Sequence, residues 1–328
     1  MTTIVSTVNN NNNNIAPILI EDPNDIRVNI FHNLKDAKAT IRDGMFIAEG
    51  PETIRLLLNN TLDIEPKILL LKPSIFEKLS PAIENCKYKD SLKVYIMNAK
   101  LIAKLVCFNS CRGSLAAGIR PTHHNLSYCI ENMVSHSIES TTDGTTTINN
   151  NKKNAKSSPS EEEWRILAID GSNNAANIGS MIRSASAFGI NLILLSHDCC
   201  DPYYRQSIRV SVGHIFNIPT IQVVNLKDTL SMLMNEHGVS VFAAVIDKNA
   251  HLLTHQFLQT NVSSTKRWVI ILGNEDKGIS NEIISDDKII KTRIDMVTGV
   301  DSLSINNACA IFLYAFVSAG TVNRKGES

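Results

Sequence analysis

Three short stretches hold the side chains in this sequence best placed to do chemistry. The first, "DGSNNAANIGSMIR" from Asp170 onward, leaves an apolar run and passes through a glycine-containing loop into a helical pattern. Backbone N–H groups at such a helix start can face an anion. Arg183 lies one turn inside, and Ile182, Ala185 and Phe188 take the buried side, which leaves its guanidinium near the helix start. Asn177 also fits a plain helix cap. In the second stretch, "IILGNEDKGIS", Gly273 and Gly278 flank Asn274 and Glu275. Two glycines there permit close backbone approach to a flat ligand such as an adenine, although an ordinary loop carries the same residues. The third, "GVDSLSINNACAIFLYAF", sets Gly299, Ser302 and Ser304 before a helix beginning near Ile305. Ser304, Asn306 and Asn307 are either helix caps or the wall of a site. Ala308, Ile311, Phe312 and Ala315 form a packing face.

Three loops far apart in sequence can meet only if a sheet gathers them. Between residues 164 and 320, "WRILAID", "INLILLS", "TIQVV", "VSVFAAVID", "RWVIILG" and "KTRIDM" read as strands. "NIGSMIRSASAF", "YYRQSIRVSVGHI" and "LKDTLSMLMNEHG" read as helices between them. Near-continuous apolar strands alternating with amphipathic helices predict a parallel sheet covered on both faces, with ligands beyond the carboxyl ends of its strands. A nicotinamide-binding fold is disfavoured, because no G-x-G-x-x-G fingerprint occurs.

Ahead of this lies a smaller α/β unit, residues 24–121, in which "MFIAEGPETIRLLLN" predicts a strand, a Gly-Pro turn and a helix, and "KILLLKP" and "KVYIM" predict buried strands. Its basic side chains, among them Lys87, Lys100, Arg112 and Arg120, form either a solvated face or an RNA contact. Six consecutive asparagines at 9–14 place a low-complexity leader over residues 1–23, and the Thr, Asn, Ser and Lys bias of residues 122–163 predicts a linker or insertion. Residues 321–328 form a short tail.

The whole-chain balance of 32 basic and 32 acidic residues neither requires nor excludes a nucleic-acid partner. Seven scattered cysteines fit reduced thiols in an intracellular, cytoplasmic setting, with an organelle still open. Cys107 and Cys111 lack a partner pair at zinc-site spacing, so no metal is expected. No apolar run approaches the roughly 18 to 20 residues of a membrane span.

Taken in order, "NIGSMIRSASAFG", "ILGNEDKGIS" and "RIDMVTGVDSLSINNACAI" resemble the three motifs of the SpoU/TrmH-type RNA methyltransferases of the SPOUT superfamily. "FIAEGPETIRLLL" and "FNSCRGSLAAGIRP" resemble pieces of the L30e-like substrate domain that precedes the catalytic domain in such proteins. The resemblance implies a SpoU-type methyltransferase domain over residues 164–320, with a parallel sheet and a deep trefoil knot. It implies S-adenosylmethionine (SAM) as cofactor, structured RNA as partner, a homodimer and methylation of a ribose 2′-hydroxyl in ribosomal RNA. Transfer RNA, or a catalytically weakened SAM- and RNA-binding protein, are the alternatives.

By the same resemblance Asn177, Arg183, Glu275, Ser302 and Ser304 are the catalytic set. Leu272, Gly273, Asn274, Gly278, Ile279, Ile294, Met296, Ser302, Leu303 and Ser304 enclose the cofactor. The motif usually reads S-L-N-V where this chain has Ser302-Leu303-Ser304-Ile305, so Ser304 stands where an active-site Asn is usual, and Asp295 replaces a common proline. Asn306, two residues on, is a side chain that could reach back. RNA contact is expected from Arg183 and Arg112, and from Arg205 and Arg209, which lie four apart on one helix beside Tyr203 and Tyr204; a solvated face is the plain alternative for that pair.

Overall fold

A computed structural model describes residues 15–32, 34, 44–107, 113–121, 125–138 and 163–322. The first unit contains β1 (Ile18–Leu19), β2 (Met45–Glu49), α1 (Pro51–Leu58), β3 (Pro66–Leu71), α2 (Pro73–Glu84), β4 (Lys93–Ile96), α3 (Ala99–Val106) and β5 (Ser114–Ile119). Its sheet runs β1-β4-β3-β5-β2; β1, β4 and β3 are parallel, and β5 runs antiparallel to both β3 and β2. The turn from β2 into α1 follows from its residues. Gly50 adopts φ 98, and Pro51 opens the helix where a missing N–H leaves no bond unmade.

Two expected boundaries shift. Ile18 and Leu19 pair with Tyr95 and Ile96, and Ile20 is buried, so the sheet takes in residues assigned to the leader at 1–23. The asparagine run lies outside the described residues. The expected linker at 122–163 begins with α4 (Leu126–Ile138), whose Cys129 and Ile130 are buried in a core cluster with Trp164 and Leu226. Leu126, Ile130 and Met133 recur at helical spacing, a signal hidden by the biased composition that follows.

The second unit comprises β6 (Trp164–Ile169), α5 (Ala175–Ala187), β7 (Leu192–Leu195), α6 (Arg205–Val210), β8 (Thr220–Gln222), α7 (Leu226–His237), β9 (Ser240–Ala244), β10 (His251–Leu252), α8 (His255–Asn261), β11 (Arg267–Leu272), α9 (Asn281–Ile284), β12 (Ile290–Arg293) and α10 (Ile305–Val322). Its seven strands are all parallel, in the order β10-β12-β9-β11-β6-β7-β8. Each central strand sends alternate residues to opposite cores. Leu167 and Ile169 pack with α5 and α10, while Trp164, Ile166 and Ala168 pack with α4 and α7. Burial on both faces is why these strands are continuously apolar.

The helix expected across "YYRQSIRVSVGHI" is shorter than its apolar pattern. It stops at Val210, and the chain turns through Val212 and Gly213, both at positive φ, into a 3-10 turn at His214–Phe216. That turn meets the first unit. Phe46 packs on Phe216 and Tyr203 at centroid distances of 5.1 and 5.8 Å, and a Cβ on Gly213 would lie 3.0 Å from the Thr53 backbone. Among the described residues no helix is long and apolar enough to cross a membrane, and no group of three or more metal-ligating side chains occurs.

Candidate active site

The loops after β6 and β11 are tied together by short polar side chains. The buried carboxylate of Asp170 accepts a bond from the Ser280 N–H at 2.7 Å. Asn274 Nδ2 donates to the Gly171 carbonyl at 2.6 Å, while its Oδ1 accepts from the N–H groups of Asp276 and Lys277. Asn274 and Gly278 also exchange two backbone bonds of 2.9 Å, folding the segment back on itself. A Cβ at Gly273 would stand 2.2 Å from the Gly278–Ile279 backbone, so only glycine fits there.

This fold-back forms one side of a cavity of about 520 Å³ at the carboxyl ends of β9, β11 and β12. All ten residues expected around a cofactor line it. Leu272, Gly273, Asn274, Gly278 and Ile279 come from β11 and its loop, Ile294 and Met296 follow β12, and Ser302, Leu303 and Ser304 lead into α10. The sequence reading omitted the wall made by Ala244, Val245 and Ile246 at the end of β9, and the floor made by Ile305, Ala308 and Phe312 of α10. The rule that ligands sit beyond strand carboxyl ends could have found the first group. Helical periodicity assigned Ala308 and Phe312 to packing alone.

At the rim, the amides and a carboxylate form a directed chain. Asn306 Nδ2 donates to Asn177 Oδ1 at 2.8 Å, and Asn177 Nδ2 donates to a Glu275 carboxylate oxygen. A carboxylate can only accept, so Glu275 fixes which way the Asn177 amide faces. Asn306 Oδ1 is buried with no hydrogen-bond partner among the described residues. The cap of α5 is Asn174, whose side chain accepts from the N–H groups of Ala176 and Asn177, which frees the Asn177 side chain for the rim. Ser304 lines the cavity and also caps α10, its Oγ accepting from the Asn307 N–H at 3.4 Å.

The expected site residues do not all converge. Glu275, Ser302 and Ser304 line the cavity, and Asn177 reaches it through Glu275. Arg183 is exposed on α5 outside the lining, and among the described residues no carboxylate pairs with it. One turn further along α5, Ser186 Oγ is bonded to His214 Nδ1 at 2.8 Å. Burial, then the nearby charges of Arg183 and Arg55, push the His214 imidazole below its usual range. Arg112 falls outside the described residues.

Arg205 and Arg209, expected to contact RNA, both meet a carboxylate of the first unit. Arg205 donates to Glu49 at 2.9 Å and Arg209 approaches the other Glu49 oxygen at 3.3 Å, with the Glu49 side chain only 3% exposed. A second pair, Arg120 with Asp201, crosses the same junction. These arginines hold α6 against the first unit, because a buried carboxylate recruits the nearest cations in place of water. The Cys309 thiol, on the buried face of α10, is pushed by burial up to about 12, so it serves packing and offers no nucleophile.

Residues 165–314 match the model of the SpoU rRNA Methylase family. A tRNA/rRNA methyltransferase from Mycobacterium bovis is 29% identical over 157 residues, 47% of this chain and 52% of that protein. The 23S rRNA (uridine(2479)-2′-O)-methyltransferase of Streptomyces viridochromogenes is 26% identical over 161 residues, 48% and 54% of the two chains. This chain thus spans about half the length of those curated relatives. The crystal structure of an AdoMet-bound rRNA methyltransferase from Sinorhizobium meliloti superposes with a TM-score of 0.64 over 91% of this chain and 97% of that one at 21% identity, a likeness of fold. On the motif spacing, the all-parallel sheet that gathers the motifs and the matched segment, residues 165–314 are similar to the SpoU rRNA Methylase family.

Proposed function

We propose that this protein is a SAM-dependent RNA methyltransferase acting on a ribose 2′-hydroxyl, with ribosomal RNA as substrate. The observation that carries the proposal is the convergence of the segments after β9, β11 and β12 on one cavity, with the Asn306–Asn177–Glu275 chain tying α5 to its rim. The cavity suits SAM in its chemistry. Gly273 brings two backbone segments together as a cradle, and Leu272, Ile279, Ile294 and Phe312 offer apolar walls to an adenine, while the loop backbone supplies polar groups. SAM, when bound, supplies an electrophilic sulfonium methyl.

The protein's own residues then have to place and activate the hydroxyl. Asn177, oriented by Glu275 and Asn306, offers a fixed amide near the cavity mouth, and fixed geometry is worth much of the barrier in a transfer that needs in-line approach. Arg183, with no carboxylate partner among the described residues and a guanidinium that keeps its proton, stabilises the developing negative charge on the 2′-oxygen. Ser302 and Ser304 bound the cavity on the α10 side.

The weakened-enzyme alternative rested on Ser304 replacing an asparagine. The Asn306–Asn177 bond supports activity, since an asparagine of the same helix start reaches the motif by another route. A homodimer fits the exposed Ile311 and Tyr314 on α10 together with Val297 and Val300 in the preceding loop. The deep trefoil knot accords with the family and with the packing of α10 beside α5 and β11. Cytoplasmic residence accords with six described cysteines all being free.

Calorimetric titration with SAM, followed by labelled methyl transfer to total RNA and scoring of alkali-resistant dinucleotides, tests the proposal. Cofactor binding with label in those dinucleotides is expected. Folded protein that binds no SAM overturns it.

A further inference from the structure

The 3-10 turn at His214–Phe216 is wedged between α5, which carries Asn177 and Arg183, and α1 of the first unit. Each of the three elements around this wedge carries a cationic or titratable side chain. Arg183 projects from α5 into solvent with no carboxylate partner among the described residues. His214, half-buried, is fixed by its 2.8 Å bond to Ser186, which sits three residues from Arg183 and so on the same helix face. Arg55 from α1 is half exposed and bonded to Glu52 at 2.9 Å, and Lys78 of α2 shares that carboxylate at 3.0 Å. Arg55, Lys78 and Glu52 leave one net positive charge, and Arg183 adds a second. The groups that face His214 with charge are Arg183 and Arg55.

We infer that this seam between the two units is a phosphodiester seat, in which Arg183, His214 and Arg55 hold the backbone of the substrate strand as it runs from the cavity onto α1. The inference rests on the RNA methyltransferase reading for the identity of the strand. The geometry suits the ligand. With Nδ1 engaged by Ser186, the other ring nitrogen of His214 is left to donate outward. The guanidinium groups supply donor forks suited to phosphate oxygens. Glu49 engages the neighbouring Arg205 and Arg209 and offsets one of their two charges, whereas Arg183 faces solvent with no carboxylate partner among the described residues.

The seat predicts a proton taken up on binding. Burial and the two arginines favour the neutral imidazole in the free protein, and a phosphate between the three groups reverses that preference, so affinity should rise as pH falls from about 8 toward 6. Anisotropy titration of the full chain with a fluorescein-labelled single-stranded RNA, across a potassium chloride series, tests it. Arg55→Gln should lower the slope of log affinity against log salt by about one, and Glu52→Gln should tighten binding severalfold by releasing Arg55 and Lys78. His214→Gln should abolish the pH dependence. Wild-type slope and pH profile in all three variants, or no binding of this RNA by the wild type, overturns the seat. Arg55 and Glu52 are exposed, so those variants stay informative even where His214→Gln folds poorly. Calorimetry with SAM on the same preparations separates the two readings: a protein without a seat still binds SAM, and one without a methyltransferase site does not.

Discussion

Arg183 on α5 and the pair Arg205 and Arg209 on α6 occupy successive helices of the same sheet, yet they have opposite fates. The α6 arginines converge on Glu49, a nearly inaccessible carboxylate of another unit, and Arg205 is itself largely covered. Arg183 stands in the open beside His214, with no carboxylate close by among the described residues. The backbones are in close contact, since a Cβ on Gly179 of α5 would lie 2.5 Å from the Ser207 carbonyl of α6. An arginine's task is thus set by where the nearest carboxylate lies. A buried partner makes it a strut, and the lack of one leaves its charge for a ligand.

Breaking the strut should have the largest effect. Glu49→Ala takes the buried carboxylate away from a largely covered Arg205, and unfolding by denaturant should show a loss of about 3–5 kcal/mol. A loss below about 1 kcal/mol would mean that solvent replaces the carboxylate freely. Arg183→Ala should do the reverse, leaving stability nearly unchanged while turnover in labelled methyl transfer falls about 10²–10³-fold. Unchanged turnover would remove Arg183 from the chemistry.

The rim separates positioning from lining. Asn306→Ala should slow turnover roughly tenfold to hundredfold with little change in SAM affinity, because it frees the Asn177 amide without touching the cavity wall. Ser304→Ala should cost only about 0.5–1 kcal/mol of stability, the worth of a cap, and little turnover. A larger loss of rate in Ser304→Ala than in Asn306→Ala would return the role to Ser304. The smallest effect is that of pH. The depressed pKa of His214 gives a contribution to stability that is complete above its ordinary value of 6.5 and fades as pH falls below it. His214→Gln should therefore flatten stability against pH in that acidic window, as thermal unfolding would show.

Much of the second unit was legible because its physics is local. Strands buried on both faces must be apolar throughout, so "WRILAI" and "RWVIIL" announced themselves, and the glycines at 171, 273 and 278 marked the turns where the chain doubles back. The lining of the cavity followed from the motifs that those turns carry. Less legible were α4, whose helical spacing ends in a polar tract, and β1, a two-residue strand that exists only because β4 offers a free edge.

Pattern and motif sufficed for the parallel sheet, the three loops at its carboxyl edge and the residue types around the cavity. The sheet and the loops depend on periodicity and on backbone freedom that neighbouring residues control, and the lining on a likeness of motifs. Which polar side chain meets which was settled in the folded chain. It set Asn306 rather than Ser304 against Asn177, and gave Arg205 and Arg209 to Glu49 some 156 residues away. It also placed His214 between two units. Such pairings depend on distances across the fold, and a side chain's type and spacing say nothing of the partner that folding will bring within hydrogen-bond reach.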